Sequence, residues 1–164
     1  NMNDIYEFCN SFLPILEYAI SSNPQKIGIG IKSQSALKLY TEELEGIYNN
    51  NRIFKGSNCS LIAYRDKAID TSIQFGNAWV RPLPRLELLS TLRPYKNYLQ
   101  TVGLLCSQSE LAVLSDMLFN AGAVRVCSGE NMSSSYCGAP HDGEYPLRRY
   151  TRIVNIDHSG TTWK

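Results

Sequence analysis

The sequence predicts an α/β domain: a mainly parallel sheet with flanking helices. Three observations carry that reading. Apolar residues recur at helical intervals near the start, where Ile5, Phe8, Phe12, Leu16 and Ala19 or Ile20 fall three or four apart. The middle of the chain changes period, and CSLIAY (59–64) and IQFGNAWVRPL (73–83) are short runs rich in branched and aromatic residues, as strands are. From Tyr98 to Cys127 a strand, a helix and a second strand follow one another within about thirty residues, the pattern of a right-handed crossover between parallel strands.

The elements follow in order. The first helix spans about 4–22, and Pro14 is expected to kink it or to begin its second half. NPQKIGIGIKS reads as a connector, after which Ser33 caps a second helix whose Leu37, Tyr40, Leu44, Ile47 and Tyr48 share one face. Asn49, Asn50 and Asn51 end it. Behind the two middle strands, Pro84 admits a short helix through LELLSTL, and Pro94 stops it. YLQTVGLLC is apolar almost throughout, as expected of a strand covered on both faces. Ser107 and Glu110 form a capping box, Leu111, Leu114, Met117 and Leu118 face inward, and Gly122 supplies the stop before the strand AVRVCS. The loop GENMSSSYCGAPHDGE then leads through a helical turn, YPLRRY, into a last strand, TRIVNID. A loop that long in a compact domain is functional or lies on an interface. The domain is read as 2–157, with 158–164 a frayed tail. Asn1 before Met2 is read as a scar of an expression tag.

Composition excludes several classes. With 43% hydrophobic and 19% charged residues in 164, the chain is rich enough in apolar side chains for a core, which argues against disorder. Sixteen basic residues against fifteen acidic leave a net charge of +1 without a basic run, so a nucleic-acid surface is not expected. No apolar stretch reaches the roughly 18–20 residues that span a bilayer, and no leader pattern opens the chain. The expectation is a soluble, cytoplasmic protein. Five cysteines without CxxC spacing agree with a reducing compartment and disfavour a zinc ribbon. Cys9, Cys59, Cys106 and Cys127 lie in apolar runs and are expected to be buried, whereas Cys137 lies in a polar loop.

YCGAPHDGE is the stretch richest in chemistry, with Cys137, His141, Asp142 and Glu144 within nine residues. A cysteine nucleophile needs a base at hydrogen-bond distance and a third group to orient that base. Asp142 beside His141 in an extended segment would point away from it. A metal centre would need a C-x3-H-D arrangement that matches no common zinc spacing, so no metal is expected. The plainer reading of His-Asp-Gly is a turn in which Gly143 takes a positive φ. GIGIKS (28–33) fits neither the P-loop nor the G-x-G-x-x-G template.

Four segments together resemble the acyl-CoA reductases of the LuxC type, within the aldehyde dehydrogenase superfamily: K-x-Y-L-Q-T-V-G-L (Lys96 to Leu104), A-G-x-V-R (Ala121 to Arg125), G-E-x-M (Gly129 to Met132) and P-H-D-G-x-x-x-L (Pro140 to Leu147). The resemblance implies the C-terminal half of an aldehyde dehydrogenase catalytic domain, followed at 150–157 by an oligomerisation strand. It implies reduction of an acyl-CoA or acyl thioester to a fatty aldehyde, with a cysteine thiolate taking the acyl group and NADPH or NADH supplying hydride. The family's reacting cysteine lies in a Q-x-C-x-S-P segment, and none of the five cysteines here is so placed. No catalytic residue is therefore carried over and no cofactor is expected on this chain. What carries over is Pro140, His141, Asp142 and Gly143 along the acyl or cofactor path. The expected partners are a second copy, paired through the last strand, or an upstream half of the enzyme, whose removal would bare Tyr6, Phe8, Trp79 and the helix faces. Two alternatives remain: a non-catalytic binding or assembly module with the same half fold, and a hydrolase built on Cys137 and His141.

Overall fold

A computed structural model describes residues 1–154. The chain, read from the sequence as one domain, gathers its contacts into two compact units, one from Asn1 to Glu87 and one from Leu88 onward.

In the first unit, α1 (Met2–Ser22) is one continuous helix that contains Pro14. Its start is fixed by Asn1, whose side-chain oxygen accepts from the backbone N–H of Asn3 at 2.7 Å. α2 (Ile29–Asn49) begins five residues earlier than a cap at Ser33 suggests, with Gly28 as the extended residue ahead of it. Ser33 does not cap it: its hydroxyl donates to the Ile29 carbonyl one turn back, at 3.0 Å. Asn50 ends the helix in a left-handed conformation, with φ 54°.

Three strands follow, β1 (Arg52–Lys55), β2 (Ser60–Ala63) and β3 (Asn77–Val80), in the order β1-β2-β3. β1 runs antiparallel to β2, and β3 runs parallel to it. The sequence did not disclose β1, because RIFK is four residues long and has no alternation to mark it. The central β2 is buried along its whole length. Its side chains alternate between two clusters, as strand geometry requires. Leu61 and Ala63 join Phe54 and Cys9 under α1, while Ile62 and Tyr64 meet Ile73, Trp79 and Leu39 of α2.

The second unit opens with α3 (Leu88–Leu92), which runs into a 3₁₀ turn at Arg93–Tyr95. β4 (Thr101–Leu104), α4 (Gln108–Ala121) and β5 (Arg125–Ser128) form the expected crossover, with Thr101 opposite Arg125 and Leu104 opposite Ser128 in a parallel pair. Leu88, Leu118 and Ala123 form its core, packed by Val102, Leu104, Leu114, Met117 and Val126. The capping box is present, with Ser107 Oγ 2.7 Å from Glu110 Oε2. Gly122 closes α4 at φ 113°, and its N–H donates to the Leu118 carbonyl at 3.1 Å. The fold is therefore mixed α/β. In place of one mainly parallel sheet it has a mixed three-stranded sheet and a parallel two-stranded one, because the β1–β2 hairpin breaks the parallel order. Residues 151–154 have no regular structure, and the rest of the expected final strand and tail, 155–164, lies outside the described residues.

Gly122 carries a direct test. A methyl group there would sit 2.6 Å from Lys96 Cα, in a backbone region that side chains avoid. Gly122→Ala should destabilise the protein by about 2 kcal/mol or more. Gly30→Ala, in a helix with nothing within 4 Å of the new carbon, should be neutral or stabilising. Urea unfolding of both variants checks the contrast.

Candidate functional site

The loop after β5 is built on contacts to the crossover. Arg125 sends its guanidinium under the first turn of that loop, where Nη1 donates to the Met132 carbonyl at 3.3 Å and Nη2 to the Asn131 carbonyl at 2.9 Å. Nη2 also donates to the Ser134 carbonyl. Met132 lies directly over Gly103 of β4, whose missing side chain makes room for it. Three of the motifs singled out in the sequence are thus one packing unit: TVGL supplies the glycine, VR the guanidinium, and GENM the turn they hold.

His141, Asp142, Gly143 and Glu144 form a two-residue hairpin turn, which Pro140 leads into. Asp142 and Gly143 both have positive φ, 53° and 79°. The flanking residues exchange backbone bonds, His141 N–H to the Glu144 carbonyl at 2.9 Å and Glu144 N–H to the His141 carbonyl at 3.1 Å. That is the geometry an Asp-Gly pair favours. Gly143 also lies close to Val124, whose Cγ1 would be 3.1 Å from an added Cβ. Asp142 is the anchor: its Oδ1 accepts from Gln100 Nε2 at 2.6 Å, and its Oδ2 lies 2.9 Å from His141 Nδ1 and 3.6 Å from Arg149 Nη2. Arg149 also donates to the His141 carbonyl at 3.0 Å.

The His141–Asp142 contact corrects the expectation that the two would point apart. That expectation held for an extended segment, and the positive φ of Asp142 turns its carboxylate back onto the imidazole. The His141 side chain remains 74% exposed. No hydrogen bond joins Cys137 to it among the described residues, and the thiol is exposed in the loop, so the elements of a cysteine–histidine pair are not assembled. The turn docks beside Gln100 and Val124, at the amino ends of β4 and β5. Cys106, Ser107 and the GENM turn occupy the carboxyl ends, the edge where ligands of open parallel sheets usually gather. Cys106 is exposed there rather than buried, because the strand ends at Leu104, before reaching it.

A second cluster escaped sequence reading. In the first unit the guanidinium of Arg81 lies 3.9 Å from the centroid of the Tyr64 ring and 5.4 Å from that of Trp79, and it is paired with Asp66. Tyr64 donates to Glu42 Oε2 at 2.6 Å. Burial, reinforced by that carboxylate, pushes the Tyr64 phenol far above its ordinary range. Burial lowers Arg81. The signal was the spacing of aromatic and basic residues in NAWVR, but their partners come from two other places in the chain, Glu42 from α2 and Tyr64 and Asp66 from just past the end of the middle strand. Burial also raises the thiols of Cys9 and Cys59, which makes both poor nucleophiles. Next to this unit's β1–β2 turn is a cleft of about 960 Å³, bordered by Ile20, Ile27, Lys32, Leu39, Asn58 and Phe75.

Compared with known proteins, residues 47–153 match the family model described as acyl-CoA reductase (LuxC), and that span is more than half of the chain. The chain belongs to the LuxC acyl-CoA reductase family. The match takes in the three-stranded sheet, the Tyr64–Arg81 cluster, the whole crossover and the Pro140–Gly143 turn; α1 and nearly all of α2 precede it. No curated protein matches the chain.

Among the described residues neither glycine-rich phosphate-binding template is met. GIGIKS opens α2 after a connector, not after a strand, and the turn from β4 into α4 is Leu105-Cys106-Ser107, which has no glycine. Among the described residues no group of three or more His, Cys, Asp and Glu side chains is placed to hold a metal ion, and no helix is long and apolar enough to cross a membrane.

Two predictions follow from these contacts. Tyr64 is held neutral when folded but ionises near pH 10 when unfolded, so its contribution is fully present below about pH 10 and is lost as the pH rises beyond it. Urea unfolding at pH 8 and above pH 10 should show this loss in the parent and a smaller one in Tyr64→Phe. In the loop, Asp142→Ala should speed amide exchange across 140–150 and lower the melting temperature, whereas His141→Ala, an exposed side chain, should leave stability within about 0.5 kcal/mol. Equal effects from both would contradict the anchoring role of Asp142.

Proposed function

We propose that the chain is the C-terminal part of an NAD(P)H-dependent acyl-CoA reductase that forms fatty aldehyde from acyl-CoA or another acyl thioester, and that it is inactive alone. The observation that carries this reading is the family match over 47–153. The chain's own cysteines support the second half of the proposal: two are buried with raised pKa values, and none stands in a Q-x-C-x-S-P segment. The reacting thiol and the cofactor domain then belong to sequence upstream, and this chain supplies half of an aldehyde-dehydrogenase-like catalytic domain. Residues 150–157 pair with another subunit in this reading, and the enzyme works in the cytoplasm. Either an upstream half or a second copy is the partner.

His141 is the loop residue proposed to meet acyl or cofactor atoms, because its ring is exposed while Asp142 fixes its orientation. Pro140, Asp142 and Gly143 set its place. The test uses the purified chain, a long-chain acyl-CoA and NADPH or NADH, following cofactor oxidation and aldehyde formation. No turnover is expected from the chain alone, and turnover is expected once a reductase segment carrying the Q-x-C-x-S-P cysteine is co-expressed with it. Reduction by the chain alone would overturn the proposal.

A further inference from the structure

α2 sits on its unit the wrong way round for an ordinary surface helix. The row turned inward is Ser35, Leu39, Glu42, Glu43 and Gly46, which is mostly polar or small. The row turned outward is apolar: Leu37 is 67% exposed, Tyr40 58%, Leu44 49%, Ile47 74% and Tyr48 88%. This rotation is locked. Glu42 accepts from the buried Tyr64 hydroxyl at 2.6 Å, Glu43 pairs with Lys55 at 2.6 Å, and an added Cβ on Gly46 would lie 3.4 Å from the Asn51 carbonyl oxygen. Rolling the apolar row inward would break both polar contacts and bring bulk to the place where a glycine now packs. The row covers twelve residues, about 18 Å of helix. A continuous apolar patch of that kind on a folded surface marks an interaction site.

Charge decides what fits it. Lys38 and Glu45 are seven residues apart, two turns along the same edge of the apolar row. The ammonium of Lys38 lies 5.5 Å from the Trp79 ring centroid, and Glu45 is exposed. More broadly, the first half of the helix carries Lys32 and Lys38, and the second half carries Glu42, Glu43 and Glu45. A helix with that polarity is complementary to its own antiparallel copy. About a two-fold axis near the middle of the row, Lys38 of each chain meets Glu45 of the other.

We propose that the exposed face of α2 is where a second copy of this chain docks, helix against antiparallel helix. The surface differs from the terminal strand and does not rest on the reductase reading, since residues 29–46 of α2 precede the family match. The two ideas therefore fail separately.

Sedimentation equilibrium of the 164-residue chain over a wide concentration range tests it. A concentration-dependent dimer is expected. Leu44→Glu and Leu37→Glu should each weaken it by about tenfold or more, because each places two carboxylates in the apolar contact. Lys38→Glu and Glu45→Lys should each weaken it, and the double reversal should restore it, which a merely structural role for either residue would not do. Circular dichroism and the melting temperature show that the variants fold; should Leu44→Glu not fold, the charge reversals at two exposed positions decide. A monomer at all concentrations would overturn the proposal. So would a dimer indifferent to these changes, or single reversals that the double does not rescue. Protection of α2 from amide exchange by a co-expressed upstream reductase segment, with the chain alone monomeric, would name that segment as the occupant and equally overturn it.

Discussion

The loop after β5 depends on one guanidinium. Without Arg125, the carbonyls of Met132 and Ser134 would lose the donor that satisfies them in a tight bend, and the Asn131 carbonyl would keep only the N–H and hydroxyl of Ser134. With it, the bend closes, Met132 settles over Gly103, and the chain leaves β5 on a fixed course toward the Pro140–Gly143 turn. That turn is then tied back to the same crossover through Gln100 and Val124. Every motif in this region is committed to holding another. Arg125 is held by three backbone oxygens, Asp142 by a glutamine, a histidine and an arginine, and Gly103 and Gly143 by close neighbours. His141 is held on one side and open on the other. A region whose polar groups are so engaged supports the proposal that the reacting thiol lies outside the chain.

The first unit makes a different use of polar groups. Tyr64, Arg81 and Glu42 lie in and beside a cluster of Ile62, Ile73 and Trp79, where a charged or hydroxyl group must have partners. Their mutual contacts fix α2 to the sheet in one rotation. A purely apolar contact would have let the helix roll, and the polar cluster therefore decides which face of α2 is left in solvent.

How much of this was legible in the sequence follows from where the determining contacts lie. The crossover from Thr101 to Ser128 was readable because its signals are local: a continuous apolar strand, a serine and a glutamate three apart, a glycine at the stop. α2 was readable as a helix but not in its start, since Gly28 caps it without the side-chain signal that Ser33 offers. Its rotation was not readable at all: periodicity locates an apolar row, and only the distant Tyr64 and Lys55 reveal that the opposite row faces inward. The His141–Asp142 contact was missed because neighbours in an extended chain diverge, whereas the positive φ of Asp142 brings the two side chains together. Cys106 was expected in the core because LLC continues the apolar run, yet the strand ends at Leu104. β1 has only four residues, and pairing with β2 defines it more than its own composition does. Tyr6 and Trp79, expected to be bared, are packed within the first unit, while Phe8 and the α2 row are exposed.

In the proposed reading this chain is the structural half of a reductase whose reacting thiol lies elsewhere in the same polypeptide. The most direct measurement is the intact mass of the protein made from its native gene in its own cells, detected through a peptide spanning Arg125 to Arg148. The account predicts a species several hundred residues long that contains a Q-x-C-x-S-P segment. A species near 18.5 kDa, the mass of this chain by itself, would contradict it.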